Sequence, residues 1–286
     1  LRAIDSLINL YLAHSKWADL LSVYVMKADL VQDLEEKKNI FYQVGAVFER
    51  ELSDVTQAID TYQRILEIDP AVLQALSRLV VLYQMAENWP ELLTVLQNEA
   101  ELANDANESI SYQYRIAELY EKRLDDLPRA IELYRDLLNQ MPDHAPTITA
   151  LEGIKSGQRE ALAAALVLEP VYDAAGDWKR FVGVLEVETT HGGEAFANVG
   201  LLHRIARLEE EMLQDHNAAF DVYARAVALD VTNEESLSSL ERLAMAVGRW
   251  PEVAELYDRQ LERLRTGQPE RVVELGLRLA QIFETE

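Results

Sequence analysis

The stretch YRIAELYEKRLDDLPRAIELYRDLL, residues 114–138, decides the fold. Its apolar residues recur at three- and four-residue intervals in two bursts, Ile116, Leu119 and Tyr120, then Ile131, Tyr134, Leu137 and Leu138. A short polar turn around Asp125-Asp126 separates them, and two helical periods on either side of a turn read as a helix hairpin. The first helix offers small Ala117 and large Tyr120; the second answers with small Ala130 and large Tyr134. Small against large lets two helices pack closely. The same places hold Gly45, Phe48, Ala58 and Tyr62 upstream, and Ala206, Glu209, Ala219 and Tyr223 downstream.

The hairpin therefore repeats. Ala58, Ala130 and Ala219 are 72 and 89 residues apart, each with an aromatic residue four positions on. Ile65, Leu137 and Ala226 follow three further, and Pro70, Pro142 or Val231 closes each unit. Proline ends a helix because it cannot continue the hydrogen-bond ladder. The four tryptophans, Trp17, Trp89, Trp178 and Trp250, form a second series separated by 72, 89 and 72 residues. Each is followed three residues later by an apolar residue, Leu20, Leu92, Phe181 or Val253, and is expected in the inter-helix core. Two series in one register are the signature of an internal repeat.

The order small, aromatic, Ala, aromatic, apolar, Pro in Gly45, Phe48, Ala58, Tyr62, Ile65 and Pro70 resembles the tetratricopeptide repeat family. The gaps from Phe48 to Ala58 and from Tyr120 to Ala130 are one residue longer than that family's common pattern. In the Trp-bearing units Leu20 and Leu92 replace the Ala, and no Pro closes them. The resemblance implies an all-α, right-handed α-solenoid of antiparallel helix hairpins. Hairpins are expected over 1–35, 37–71, 72–106, 108–143, 160–194, 196–231 and 232–266, with a lone helix from about 269. In domain terms this gives four hairpins over 1–143, an insertion over 144–159 with a short helix and a bend, and three hairpins plus a terminal helix over 160–286. The 17 residues by which 89 exceeds 72, Asp143 to Arg159, account for this insertion, and Pro170 is expected to kink the helix after it. Val272, Val273, Leu275, Leu279, Ile282 and Phe283 give the last helix an apolar face with no following partner. A terminal repeat needs a polar outer face, so the chain reads as a fragment of a longer repeat protein.

Composition narrows the function. With 50 Asp and Glu against 27 Lys and Arg, the net charge is −23, which excludes a nucleic-acid binder working through a basic surface. No cysteine is present, so disulfide frameworks, thiolate metal sites and cysteine nucleophiles fall away. That absence fits a reducing cytoplasm and equally a compartment where stray thiols are avoided, so the compartment stays open, with the cytoplasm slightly favoured. No apolar run reaches the roughly 18 residues of a membrane span, so no membrane insertion is expected.

Catalytic signals are missing too. Gly153-Ile154-Lys155-Ser156-Gly157 has the wrong spacing for a phosphate cradle or a nucleophile elbow. The five histidines, His14, His144, His191, His203 and His216, show no paired ligand spacing, and His203 with Glu210 reads as polar lining rather than a metal pair. No cofactor, no metal and no catalysis are expected.

Helical hairpin arrays supply a groove lined mainly by first helices. In the resembled family the lining comes from the second, fifth, ninth and twelfth positions of that helix. Carried over, these include Asn9, Tyr42, Glu49, Gln84, Tyr114, Glu118, Glu121, His203, Arg207 and Arg242, together with Leu12, Val81 and Met245. The lining is mixed, and the first four hairpins lack the Lys, Arg and Asn cluster with which this family grips acidic chaperone tails. Tyr42 and Tyr114 admit two readings, as aromatic anchors for a bound segment or as packing between hairpins. The leading expectation is a scaffold that binds a protein or peptide with a basic face. The alternatives are a self-assembly module and, behind it, an all-helical enzyme.

Overall fold

Few Gly and Pro residues and a sustained 3.6-residue period yield sixteen α-helices, with no strand among the described residues. The computed structural model describes residues 2–191, 195–264 and 269–285. It divides into two compact units, 1–137 and 138–286. The first contains α1 (Arg2–Ala13), α2 (Trp17–Leu30), α3 (Leu34–Arg50), α4 (Val55–Ile68), α5 (Leu73–Met85), α6 (Trp89–Leu102) and α7 (Ala106–Lys122); α8 (Leu127–Gln140) begins in it. The second contains α9 (Ala145–Lys155), α10 (Ala161–Ala175), α11 (Trp178–His191), α12 (Ala195–Arg207), α13 (His216–Leu229), α14 (Glu234–Val247), α15 (Trp250–Leu264) and α16 (Pro269–Thr285). In each, consecutive helices pack against one another as hairpins.

One backbone feature reverses the chain in all seven hairpins. Ser15, Ser53, Glu87, Asp125, Gly176, Gln214 and Gly248 each adopt a left-handed conformation, with φ between 51° and 72°. Hydrogen bonding then separates two turn types. In the Trp-bearing hairpins the residue before Trp donates its N–H five residues back, as in Lys16 to Tyr11, Asn88 to Tyr83, Asp177 to Tyr172 and Arg249 to Ala244. In the others the first helix widens at its end. Leu52, Leu124 and Leu213 reach back five residues and Asp54, Asp126 and Asp215 reach back six, to Phe48, Tyr120 and Glu209. This loosened turn absorbs the extra residue of the even hairpins, and at Leu208–Met212 it is a full π-helical turn. The same three aspartates cap the next helix, accepting the N–H of Gln57, Arg129 and Ala218 at 2.9–3.1 Å.

The even hairpins carry the tightest contacts. Ala58, Tyr62, Ile65, Ala130, Tyr134, Leu137, Ala219, Tyr223 and Ala226 are all buried. Gly45 faces the Tyr62 ring so closely that an added Cβ would lie 2.8 Å from it. Ala117 and Ala206, the corresponding residues, are fully buried. Leu20, Leu92, Phe181 and Val253 fill the odd hairpins. The tryptophans sit at the edge of the core, Trp17 and Trp89 packing against the buried clusters of their hairpins and Trp178 against Phe181. All four are half-buried, because each opens the second helix beside the turn and its ring lies at the rim.

Two further expectations meet the structure. Helix α10 runs on through Pro170, and Leu166, whose carbonyl loses its ladder donor there, is half-exposed. On α16, Leu275 is buried while Val273 and Leu277 are exposed. The side chains of Ile282 and Phe283 lie outside the described residues.

Two glycines give opposite expectations. Gly45→Ala gains helix propensity worth about 1 kcal/mol, but forces a methyl into a locked ring, an overpacking cost of roughly 1–3 kcal/mol. Gly153, inside α9, has open space around its Cβ position, so Gly153→Ala should raise stability by about 0.5–1 kcal/mol. Urea unfolding checks both; a stabilised Gly45→Ala chain would contradict the packing.

Candidate functional site

The predicted lining residues fall into a set of repeated constellations. In the first unit, Tyr42 and Tyr114 are half-buried on α3 and α7, their rings 6.1 Å and 6.0 Å from Tyr62 and Tyr134 of the same hairpins. Part of each ring packs and part stays on the surface. Burial raises both hydroxyl pKa values. One step deeper, the second-helix tyrosines donate to the first helix: Tyr134 to Glu121 at 2.6 Å and Tyr62 to Glu49 at 3.3 Å. Glu49 also holds the Arg78 guanidinium of the next hairpin. Glu49 and Glu121 are thus engaged inside the array.

Asn9 is exposed on α1 beside a cleft of 360 Å3 that it shares with Asp5, Lys27, Glu36 and Asn39. Gln84 and Glu118 come together at another cleft, of 330 Å3, where α5, α6 and α7 meet. Its floor is Trp89, Leu92, Leu96 and Leu119, and Arg115, Lys122 and Arg123 stand at its edge. Lys122 pairs with Glu118 at 2.5 Å, and the Arg123 guanidinium lies 4.8 Å from the Trp89 ring centre. Exposed Val81 and Met85 continue the apolar strip along α5. Sequence reasoning missed these three cations. Arg123 faces Trp89 from the following hairpin, and Arg115 and Lys122 border the same cleft, an approach across hairpins that local spacing does not reveal.

In the second unit, His203 is buried at 7% exposure, its Nε2 2.6 Å from Ser236 Oγ and its ring 5.7 Å from Tyr223. Burial lowers its pKa, against the pull of Glu235. It occupies the place of Tyr42 and Tyr114 and, though buried beside Ser236, borders a cleft of 550 Å3 with Arg207. Arg207 pairs with Glu235, and Arg242 binds Glu210 through two bonds of 2.6 and 2.7 Å. These pairs join one hairpin to the next. Glu210 and His203 each bond another residue, and among the described residues no group of three His, Cys, Asp or Glu could hold a metal ion. No described helix is long and apolar enough to cross a membrane.

A second missed pattern lies ten residues after each tryptophan, where Lys27, Glu99, Glu188 and Gln260 stand in register. Lys27 bridges Asp5 at 2.9 Å and Glu36 at 3.5 Å. Glu99, only 2% exposed, has Ser77 and Glu108 at the matching places; Ser77 donates to its Oε1 at 2.9 Å and its Oε2 is buried without a bond. Burial raises the Glu99 pKa, Glu108 adds to the rise, and Ser77 and Arg115 oppose it. Glu188 is raised by burial and by Glu169, against Arg204.

The comparisons agree with this geometry. Two stretches match family models described as tetratricopeptide repeat, residues 111–144 over α7 and α8 and residues 236–272 over α14, α15 and the start of α16. These two stretches are tetratricopeptide repeats. Among solved structures, it is similar to the P58(IPK) tetratricopeptide domain (15% identity, 97% of this chain and 77% of that one, TM-score 0.34). A tetratricopeptide repeat protein from Parabacteroides merdae matches at 12% identity over 98% of this chain and 100% of that one, TM-score 0.37. The TPR2AB domain of yeast Sti1, in its pHSP90 complex, matches at 14% over 87% and 98%, TM-score 0.36. No curated protein matches the sequence. The assignment rests on the matched repeats and their repeated geometry.

The raised Glu99 pKa gives a pH dependence. The folded chain keeps this proton above 4.5, the ordinary value, while the unfolded chain releases it. The stability it contributes is therefore complete below the unfolded pKa and lost as pH rises through the folded one. Glu99→Gln should stabilise the chain at pH 8 relative to pH 5 by roughly 1–3 kcal/mol, the cost of an unsatisfied buried group. Thermal melts of both chains across that range check it; a difference that is flat with pH contradicts it.

Proposed function

We propose that this chain is a protein-interaction scaffold that holds a partner segment on the first-helix face of its first unit, without chemistry of its own. The tetratricopeptide family is in general a non-catalytic interaction fold, which supports the coarse reading. One observation carries the finer one, the cleft at Gln84 and Glu118. Its apolar floor, with Arg115, Lys122 and Arg123 against Glu118 at the edge, suits an apolar side chain flanked by polar ones, and the exposed Val81 and Met85 extend it along α5. Asn9, Tyr42 and Tyr114 would contribute contact area along the same series of helices. The net charge of −23 favours a partner with a basic face.

A photo-crosslinking residue placed at Gln84 or at Glu118 should capture the partner, whereas one at Thr94, exposed on the second helix α6, should not. Capture should fall steeply as salt rises from about 0.05 M to about 0.5 M, because the Debye length shrinks severalfold. Equal adducts at all three positions, or salt-independent capture, would contradict the assignment.

A further inference from the structure

The 17-residue interruption of the repeat register leaves something the other hairpins lack. Helix α9 stands alone, without a second helix of its own, and packs on α10. Thr147, Leu151 and Ile154 form its buried face. Its flank, with Ile148, and the last turns of α10, with Val171 and Ala174, enclose a cleft of 650 Å3 that Pro142 borders. The walls are fixed before anything binds. The Tyr172 hydroxyl, on α10, donates to Glu152 on α9, and Lys155 holds the same carboxylate at 2.7 Å. The Arg180 guanidinium stands 5.8 Å from the Tyr172 ring centre.

Charge then distinguishes the possible occupants. Three carboxylates line the cleft, Asp143, Glu152 and Asp177, with Arg180 as the single cation among them. Glu152 is answered by Lys155; Asp177 accepts the Arg180 N–H at 3.2 Å and pairs with its guanidinium at 3.6 Å. Asp143 is exposed and has no ion-pair partner among the described residues. An occupant with apolar side chains on one face and a Lys or Arg beside them would fill the walls and neutralise Asp143.

We propose that the cleft between α9 and α10 receives an amphipathic helix of a partner protein, with apolar residues at three- and four-residue spacing inside it and a basic residue on Asp143. A third helix laid between two is the ordinary helix-in-groove mode. The proposal deepens the scaffold reading and rests on it, but uses a different cleft, within the second unit.

The test measures fluorescence anisotropy of a labelled 14-residue helical peptide of Leu and Lys, with Lys on one face, against the full chain. A highly acidic protein attracts any basic peptide, so the variants separate the cleft from the general field. Ala174→Phe fills the cleft without changing charge and should weaken binding at least tenfold. Asp143→Lys should weaken it severalfold more than Asp19→Lys, the same charge change at an exposed position on α2. Circular dichroism melts of each variant should overlay the parent. Unchanged affinity in Ala174→Phe, or equal effects of the two Asp changes, overturns the proposal. So does a dimer, seen by sedimentation, that Ala174→Phe abolishes, since the cleft would then hold a second copy. Loss of peptide binding in Gln84→Lys/Glu118→Lys while Ala174→Phe binds normally overturns it and leaves the first-unit site standing.

Discussion

Everything in the even hairpins depends on a small residue meeting an aromatic ring across the helix pair. Gly45 lies against Tyr62 with no room for a methyl group, and Ala117 and Ala206 hold the matching places against Tyr134 and Tyr223. Close approach drives the ring through the hairpin until its hydroxyl reaches the first helix, where Glu49 and Glu121 accept from it. A buried tyrosine needs that partner, because an unsatisfied hydroxyl costs about 1–3 kcal/mol. The carboxylate in turn recruits an arginine from the next hairpin, as Arg78 on Glu49 shows. One steric constraint thereby fixes helix spacing, the partners of the first-helix carboxylates and a link between neighbours.

Much of this was legible in the sequence because the signals are local or periodic. Ala58, Tyr62 and Ile65 recur at fixed offsets, so the helix-hairpin repeat could be read from the residues alone. What stayed hidden were properties that cross a turn. Glu49 and Glu121 read as free groove carboxylates, yet each is thirteen residues before its tyrosine and is spent on it. His203 read as lining because its register position does, while its chemistry suits burial beside Ser236. The left-handed turn residues gave no signal at Ser15, Ser53, Glu87, Asp125 and Gln214, since only Gly176 and Gly248 are the expected glycine. The tryptophans served as a ruler although their rings sit at the rim.

The polar position ten residues after each tryptophan shows how one fold site can be tuned. Lys27 joins two carboxylates, Gln260 is neutral, and Glu99 and Glu188 are buried acids with too few partners. Junctions built on the same backbone thus respond differently to pH. The surplus of acid is therefore not uniform decoration. Part of it is consumed in holding hairpins together, part is buried where desolvation raises its pKa, and only the remainder, such as Asp143, is available to a partner.

Native-state hydrogen exchange on the first unit tests the central claim most directly. If the small-against-ring contact anchors each even hairpin, amides of α4 and α8 across Ala58–Ile65 and Ala130–Leu137 will exchange slowest, approaching the global unfolding rate. Amides at the turns near Ser53 and Asp125 will exchange fastest. Exchange in α4 and α8 as rapid as in the exposed terminal helix α1 would contradict the account.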